Sequence, residues 1–382
     1  NLSNTQAIRN VGILTQYRPS SLVDHIGSGL AWDYVGACRG IHILPPYIGH
    51  GKSEWYRGTA DALYQNLDFL DIHNPEDVLI VSGDHAYTMD YESLLRFHIE
   101  HDADVTMAFT PVTENPSRFG IAEINSQGKI VSYMEKPEHP RTNFASMTVY
   151  VFKREVLVEE LRAHASVSDK PKSFQIYDDI LPSLIERRKA FGWIHHGIWE
   201  YARTLDEYYS AHQEMLGCSP RINITEWNVR TNDLARRVAP PAPSLHCPGA
   251  TIVDSMICGG CKIEGHVEQS ILSPDVIVKK GSVVRNSILW EGVVVEEGAV
   301  CDRVICDKRT IVGKNAHVGH GNDMIPNSEQ PASLTAGITV LGMDVRISEG
   351  LILGRNCIVY PGAGEKELGN KVIPSGSTIK TE

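Results

Sequence analysis

Four short segments carry side chains suited to phosphate chemistry: Trp55-Tyr56-Arg57-Gly58-Thr59-Ala60-Asp61-Ala62, Ser82-Gly83-Asp84-His85, Tyr133-Met134-Glu135-Lys136-Pro137 and Ala145-Ser146-Met147. A carboxylate at the end of a strand can hold Mg²⁺, which takes one or two carboxylates and completes its shell with water and phosphate oxygens. A lysine is a compact point charge for a phosphate. Each segment also has an ordinary reading: a Gly-Asp turn, a solvated ion pair before a proline, a helix cap. Gly51-Lys52-Ser53 imitates the end of a GxxxxGK[ST] phosphate loop, but its first glycine would fall at Pro46, so it is not one.

The elements that must position these groups can be read along residues 1–217. Short β-rich runs alternate there with helical patterns, which predicts an α/β domain with a largely parallel, Rossmann-like sheet. Val78-Leu79-Ile80-Val81 is a continuous apolar run and reads as a central strand buried on both faces. It ends in Asp84, at the edge where open α/β sheets bind ligands. Ala60, Leu63, Leu67 and Leu70 recur at helical spacing before it; Leu94, Leu95, Phe97 and Ile99 form a second helix pattern, and Val105–Phe109 resumes a strand.

The chain has 382 residues, with 36 Lys and Arg against 47 Asp and Glu, a net charge of −11. That balance argues against a dedicated nucleic-acid binder. No apolar run reaches the length of a membrane span, and no signal-peptide pattern opens the chain, so the expectation is a cytoplasmic protein. Eight cysteines are too few for a disulfide framework. The Cys258-x-x-Cys261 pair lacks a second ligand pair, and the cysteines read mainly as small buried hydrophobes.

The texture changes at residues 239–249, APPAPSLHCPG, an extended Pro-rich stretch that places a linker over 218–248 and a second domain over 249–382. Val267-Glu-Gln-Ser-Ile, Val284-Arg-Asn-Ser-Ile and Cys301-Asp-Arg-Val-Ile recur at a fixed interval. Ile271, Ile277, Val283, Ile288, Val294, Val300, Ile305 and Ile311 step in sixes and fives, the signature of a hexapeptide β-helix. These aliphatics, Ile288 among them, are expected to point inward, with Gly281, Gly292, Gly298 and Gly313 at the corners in positive φ. About five turns fit.

In order and spacing the four segments, with His42–Pro46 (HILPP), Gly83–Tyr91 (GDHAYTMDY) and Arg118-Phe119-Gly120, resemble the sugar-nucleotide pyrophosphorylases, in particular their ADP-glucose-forming branch. The resemblance covers nearly the whole chain. It implies a nucleotidyltransferase domain followed by a left-handed β-helix, with transfer of AMP from ATP to glucose 1-phosphate and release of pyrophosphate. Asp84 and Lys136 are then the catalytic residues, with Asp84 on Mg²⁺. Tyr56, Gly120, Glu135, Lys136 and Ser146 match sugar-phosphate contacts. Gly58, Thr59, Ala60, Gly83 and Asp84 match nucleotide contacts, the first three being small enough to lie against adenine. The resemblance further implies a homotetramer regulated by an anionic metabolite, for which Arg346 and Arg355 are the basic candidates; solvated arginines at a coil corner fit them equally.

Three departures qualify the match. The glycine-rich triphosphate loop of the family does not precede Asn1, so the chain is expected to be incomplete at its N-terminus. The family's Trp-Arg-Asp-Val-Gly-Thr becomes Trp199-Glu200-Tyr201-Ala202-Arg203-Thr204, which puts Tyr201 where a second metal-binding Asp would stand. Glu200 could replace it only through a bulge, since adjacent strand residues face opposite sides. The Phe-Gly-Lys-Asp pattern becomes Ile176-Tyr177-Asp178-Asp179, without its lysine. Three rival readings follow: a non-catalytic regulatory subunit, a pyrophosphorylase for another sugar nucleotide, and an acyltransferase built on the β-helix. The last has no histidine in an acyl-transfer context, His317 and His320 reading as surface residues.

Overall fold

The structure, a computed structural model, describes residues 2, 5–17, 19–36, 39–46, 55–165, 173–227, 241–369 and 371–381. Gly51-Lys52-Ser53 lies outside them, as does the start of the Pro-rich stretch. The chain divides into two units, Asn1–Trp199 with Asn228–Val238, and Glu200–Trp227 with Ala239–Glu382.

The first unit contains strands β1 (Asn10–Leu14), β2 (Val35–Gly36), β3 (Arg39–Leu44), β4 (Asp77–Val81), β5 (His85–Tyr87), β6 (Val105–Pro111), β7 (Gly120–Ile124), β8 (Ile130–Glu135), β9 (Phe144–Lys153) and β10 (Ala190–Ile194). Its helices are α1 (Ser20–Ile26), α2 (Thr59–Gln65), α3 (Leu67–His73), α4 (Tyr91–Glu100), α5 (Arg154–Ala165) and α6 (Leu181–Arg187). β1, β3 and β2 form one small sheet. The main sheet runs β10-β6-β9-β7-β8, with β4 also paired to β9. It is mixed: β4, β6, β7 and β10 run one way, β8 and β9 the other.

Alternation along β9 explains why both faces are covered. Tyr150 and Phe152 pack with Leu157, Leu161, Leu181 and Leu184 of α5 and α6, while Val149 and Val151 pack with Leu94 of α4. β4 differs from expectation. Its residues are half-buried rather than enclosed, because among the described residues its ladder partner is β9 on one side.

The second unit is a β-helix of three parallel sheets with six, seven and seven strands. More coils form than the repeat suggested, since Arg346–Ile347, Ile352–Leu353 and Ile358–Val359 resume it after residues 319–338 interrupt the phase. The first strand is Leu245–His246, a little before the expected boundary. The predicted inward register is wrong by one residue. Leu272, Val278, Val284, Leu289, Val295, Cys301, Cys306 and Val312 fill the interior, and the preceding aliphatics face outward. Both positions of these eight strands are apolar, so their periodicity does not say which one the pleat turns inside.

Outward-facing Ile288 is nonetheless buried, because α7 (Leu205–Gln213) covers that sheet. Leu205, Tyr208 and Tyr209 pack with Ile288, Ile305, Leu334 and Ile338, and the Tyr209 hydroxyl donates to Asn286 O at 2.8 Å. Hence 200–217 belongs with the β-helix rather than with the α/β unit. The repeated serines tie one coil to the next. Ser270 and Ser287 hydroxyls each donate to the carbonyl two residues back, and the same oxygens accept the backbone N–H of Ser287 and Val304 in the following coil. Gly281, Gly292 and Gly298 adopt positive φ as expected. Gly313 does not; a Cβ there would strike the Ile347 carbonyl.

Candidate active site

The sheet register creates a notch where β4 stops. Val149–Lys153 of β9 pair with β4, and Phe144–Ala145 pair with β7. Ser146–Thr148 bridges the interval between them, with Asp84 leaving β4 on one side and Gly120 starting β7 on the other. Gly120 lies opposite Glu135 across β7 and β8, and the Lys136 N–H donates to Phe119 O at 3.1 Å. Antiparallel pairing thus gathers Asp84, Gly120, Glu135, Lys136 and Ser146 from segments that are far apart in sequence.

The backbone is unusual here. Thr148 has φ +54° and Lys136 φ +44°, and a β-branched residue in that region is a true outlier. The register of β6 against β9 shifts beside it: Ser146 still pairs with Phe109, and Met147–Val149 lie between that pair and Tyr150 opposite Met107, a bulge. The Ser146 oxygen accepts the Thr148 N–H at 3.3 Å.

Glu135 is held from below by the Tyr133 hydroxyl, which donates to Oε2 at 3.0 Å, and Lys136 Nζ stands 3.7 Å from Oε1. Burial raises the Glu135 carboxyl above its ordinary range, against the pull of Tyr133 and Lys136, and the charge of Asp178 adds to the rise. A Cβ at Gly120 would collide with the Tyr133 hydroxyl and Glu135 Oε2, so the glycine makes room for this pair. Lys136 is half-exposed, with its ammonium reachable by an anion.

Asp84 is 45% exposed. Its Oδ1 accepts from the Ser82 hydroxyl and lies 3.3 Å from His85 Nε2. Burial lowers the His85 pKa, although Asp84 and the Met147 carbonyl pull it up. Gly83 is open: no atom lies within 4 Å of where its Cβ would stand. Packing therefore does not require glycine at 83.

The Tyr56–Ala60 segment is more occupied than expected. Tyr56 donates its hydroxyl to Leu44 O and accepts from Asn66, both at 3.0 Å. Gln175 Oε1 accepts from the Thr59 N–H and hydroxyl, and Phe174 O accepts from Ala60 and Asp61. A Cβ at Gly58 would collide with Phe174 O and Gln175. Ala60 is fully buried, which corrects its placement against a nucleotide base: its small size serves packing. Thr59 remains at the surface. Arg57 and Asp61 pair at 2.5 Å, securing the start of α2.

Two expected charges are already engaged. Glu200 is ion-paired with Arg221, so it is a poor second metal ligand. Arg355 is buried and committed to Gly321 O, Asp302 O and the Asp302 carboxylate; it braces the coil and does not present an anion site. Arg346 is exposed. Sequence reasoning passed over Tyr133, His85 and Asp178. Tyr133 precedes Glu135 by two on one strand, and that period places both on one face. Nothing in one dimension brings Asp178 to Glu135.

A mixed sheet with carboxylate and lysine side chains gathered at strand ends, and a hexapeptide coil behind it in sequence, defines the class. The family model "Nucleotidyl transferase" matches residues 1–217, and "GlmU-like, C-terminal hexapeptide" matches residues 244–341. The chain belongs to the nucleotidyltransferase family. It is similar to the glucose-1-phosphate adenylyltransferase of Thermomicrobium roseum, 41% identical over 99% of this chain and 88% of the relative. The enzymes of the same name from Desulfitobacterium hafniense (36% identity, 92% and 86% coverage) and Thermotoga neapolitana (35%, 99% and 89%) are also similar. Among the described residues, no helix is long and apolar enough to cross a membrane.

Proposed function

We propose that the chain transfers AMP from ATP to α-D-glucose 1-phosphate, giving ADP-glucose and pyrophosphate for glycogen-type α-glucan synthesis. The notch carries this reading: one strand-end carboxylate, one reachable lysine and one half-buried, oriented glutamate meet at the end of β4. A phosphate oxygen of the sugar attacks the α-phosphorus, the bond to pyrophosphate breaks, and positioning with charge neutralisation supplies most of the acceleration. Lys136 holds the sugar phosphate, Glu135 accepts from sugar hydroxyls, and Ser146, the last paired residue before the bulge, contacts the same substrate. Thr59 and the open backbone at Gly83 line the nucleotide.

Mg²⁺ fits Asp84, a hard oxygen donor whose two protein contacts both address Oδ1. Among the described residues no three metal-binding side chains converge, so phosphate oxygens would complete the shell. When bound, the ion neutralises charge on the phosphates. A homotetramer and an anionic effector with Arg346 as its contact follow from the family resemblance and belong to the same proposal, as does a cytoplasmic location.

Lys136→Ala tests the sugar-phosphate assignment. The glucose 1-phosphate KM is expected to rise about ten- to a hundredfold, the worth of roughly 1.5–3 kcal/mol for a charge-assisted contact, with ATP KM little changed. Wild-type sugar-phosphate kinetics would remove Lys136 from the site. Gly83→Ala should leave the melting temperature unchanged, since nothing crowds the position. ATP KM is expected to rise roughly tenfold, because the methyl group stands where the nucleotide approaches; an unchanged ATP KM would place the nucleotide elsewhere.

A further inference from the structure

His85 makes no contact in the reaction described above, yet it is held from three sides. Its side chain is 3% exposed. The Trp199 indole Nε1–H donates to Nδ1 at 3.0 Å, and the two rings meet edge to face with centroids 5.3 Å apart. An indole N–H can only donate, so Nδ1 must carry the lone pair and the single ring proton sits on Nε2. That nitrogen lies 3.3 Å from Asp84 Oδ1 and also meets the Met147 backbone carbonyl. Met147 follows Ser146 and opens the bulge. Trp199 is itself braced by Phe119, with ring centroids 5.2 Å apart, and Phe119 precedes Gly120. One imidazole therefore joins the nucleotide end of the notch to its sugar end.

We propose that His85 is a positioning residue: kept in the Nε2–H tautomer by Trp199, it fixes the Asp84 carboxylate in register with the Met147–Thr148 bulge. Without that 3.3 Å contact Oδ1 keeps only the Ser82 hydroxyl, its neighbour in sequence, and the carboxylate can rotate as a side chain on a turn. The inference rests on the assignment of Asp84 to the nucleotide and metal. It deepens that assignment by naming what aims the carboxylate, and it makes Trp199 the outer member of a Trp–His–Asp relay of orientation in which no proton moves. Partners of this outer kind commonly alter metal affinity or activity by about ten- to a hundredfold.

The test uses the full chain, ¹⁵N-labelled at histidine. The His85 resonances, recognised by their loss in His85→Gln, should show a bare Nδ1 and a protonated Nε2. Trp199→Phe keeps an aromatic ring and removes the donor, so the tautomer should become mixed while the melting temperature changes little. Mn²⁺ affinity, titrated with α,β-methylene ATP (which cannot release pyrophosphate), is expected to weaken about tenfold, and kcat to fall by about ten- to a hundredfold with glucose 1-phosphate KM nearly constant. His85→Gln, which keeps an N–H donor, should lie between wild type and His85→Phe. A protonated Nδ1 in the wild type, or unchanged Mn²⁺ affinity and kcat in Trp199→Phe, overturns the proposal. If the wild type transfers no AMP at all, the functional reading fails instead, and the tautomer and Mn²⁺ measurements still decide the role of His85.

Discussion

Asp84→Asn is expected to lower pyrophosphate release by two to four orders of magnitude at saturating Mg²⁺, about 2.7–5.5 kcal/mol of transition-state stabilisation. The substitution preserves shape. Asparagine Oδ1 can still accept from the Ser82 hydroxyl and stand against His85 Nε2, as Asp84 does now at 3.3 Å. The side chain is nearly half exposed, so removing its charge costs the fold little, and the melting temperature should stay near wild type. What is lost is the negative charge that would hold a cation against the phosphates. Glu200→Gln supplies the contrast. Glu200 is engaged with Arg221, and breaking that partly exposed pair should cost about 0–1 kcal/mol of stability with little change in turnover. If Asp84→Asn kept activity within a few-fold of wild type, or Glu200→Gln lost as much as Asp84→Asn, the strand-end carboxylate would not be the principal metal ligand.

Leu289→Asp is expected to abolish folding of the β-helix. Leu289 is fully buried and stacked between Leu272 and Cys306 of the adjacent coils, in an interior that is almost wholly aliphatic. Losing a buried leucine costs about 2–5 kcal/mol. The new carboxyl must also shed its water without a partner, a further several kcal/mol even if it stays protonated. Together these approach the roughly 5–15 kcal/mol that holds a domain folded. Size-exclusion chromatography should show aggregate, and circular dichroism should lose its cooperative melt. Glu297→Gln, at an exposed position paired with Lys314, should behave as wild type. A native Leu289→Asp variant would mean that the coil interior lies on the other residue of each pair.

These two positions also show how far one dimension reaches. Asp84 was legible as a candidate because an apolar strand ends just before it, and chain order alone sets that relation. Leu289 was not, since Ile288 and Leu289 are both aliphatic. Only the pleat and the cover supplied by α7 tell the inner side from the outer. Glycine was similarly ambiguous. Gly83 and Gly120 look alike in the sequence, but one faces open space and the other makes room for Tyr133 and Glu135. Arg355 read as a basic surface residue because charge is normally solvated, and its Asp302 partner in the coil lies 53 residues away in sequence.

Residue order alone establishes the two architectures, the repeat and the inventory of phosphate-handling groups, since these depend on local succession, hydropathy period and side-chain chemistry. Which of those groups meet is a matter of the folded chain. Asp84, Gly120, Glu135 and Ser146 converge because β9 pairs with β7 at its start, through Phe144 and Ala145, and with β4 along Val149–Lys153. That long-range register also brings His85 between Asp84, Met147 and Trp199. Pairing of this kind depends on strands closing over intervening segments, and its outcome rests on the packing of both sheet faces at once rather than on any stretch read singly.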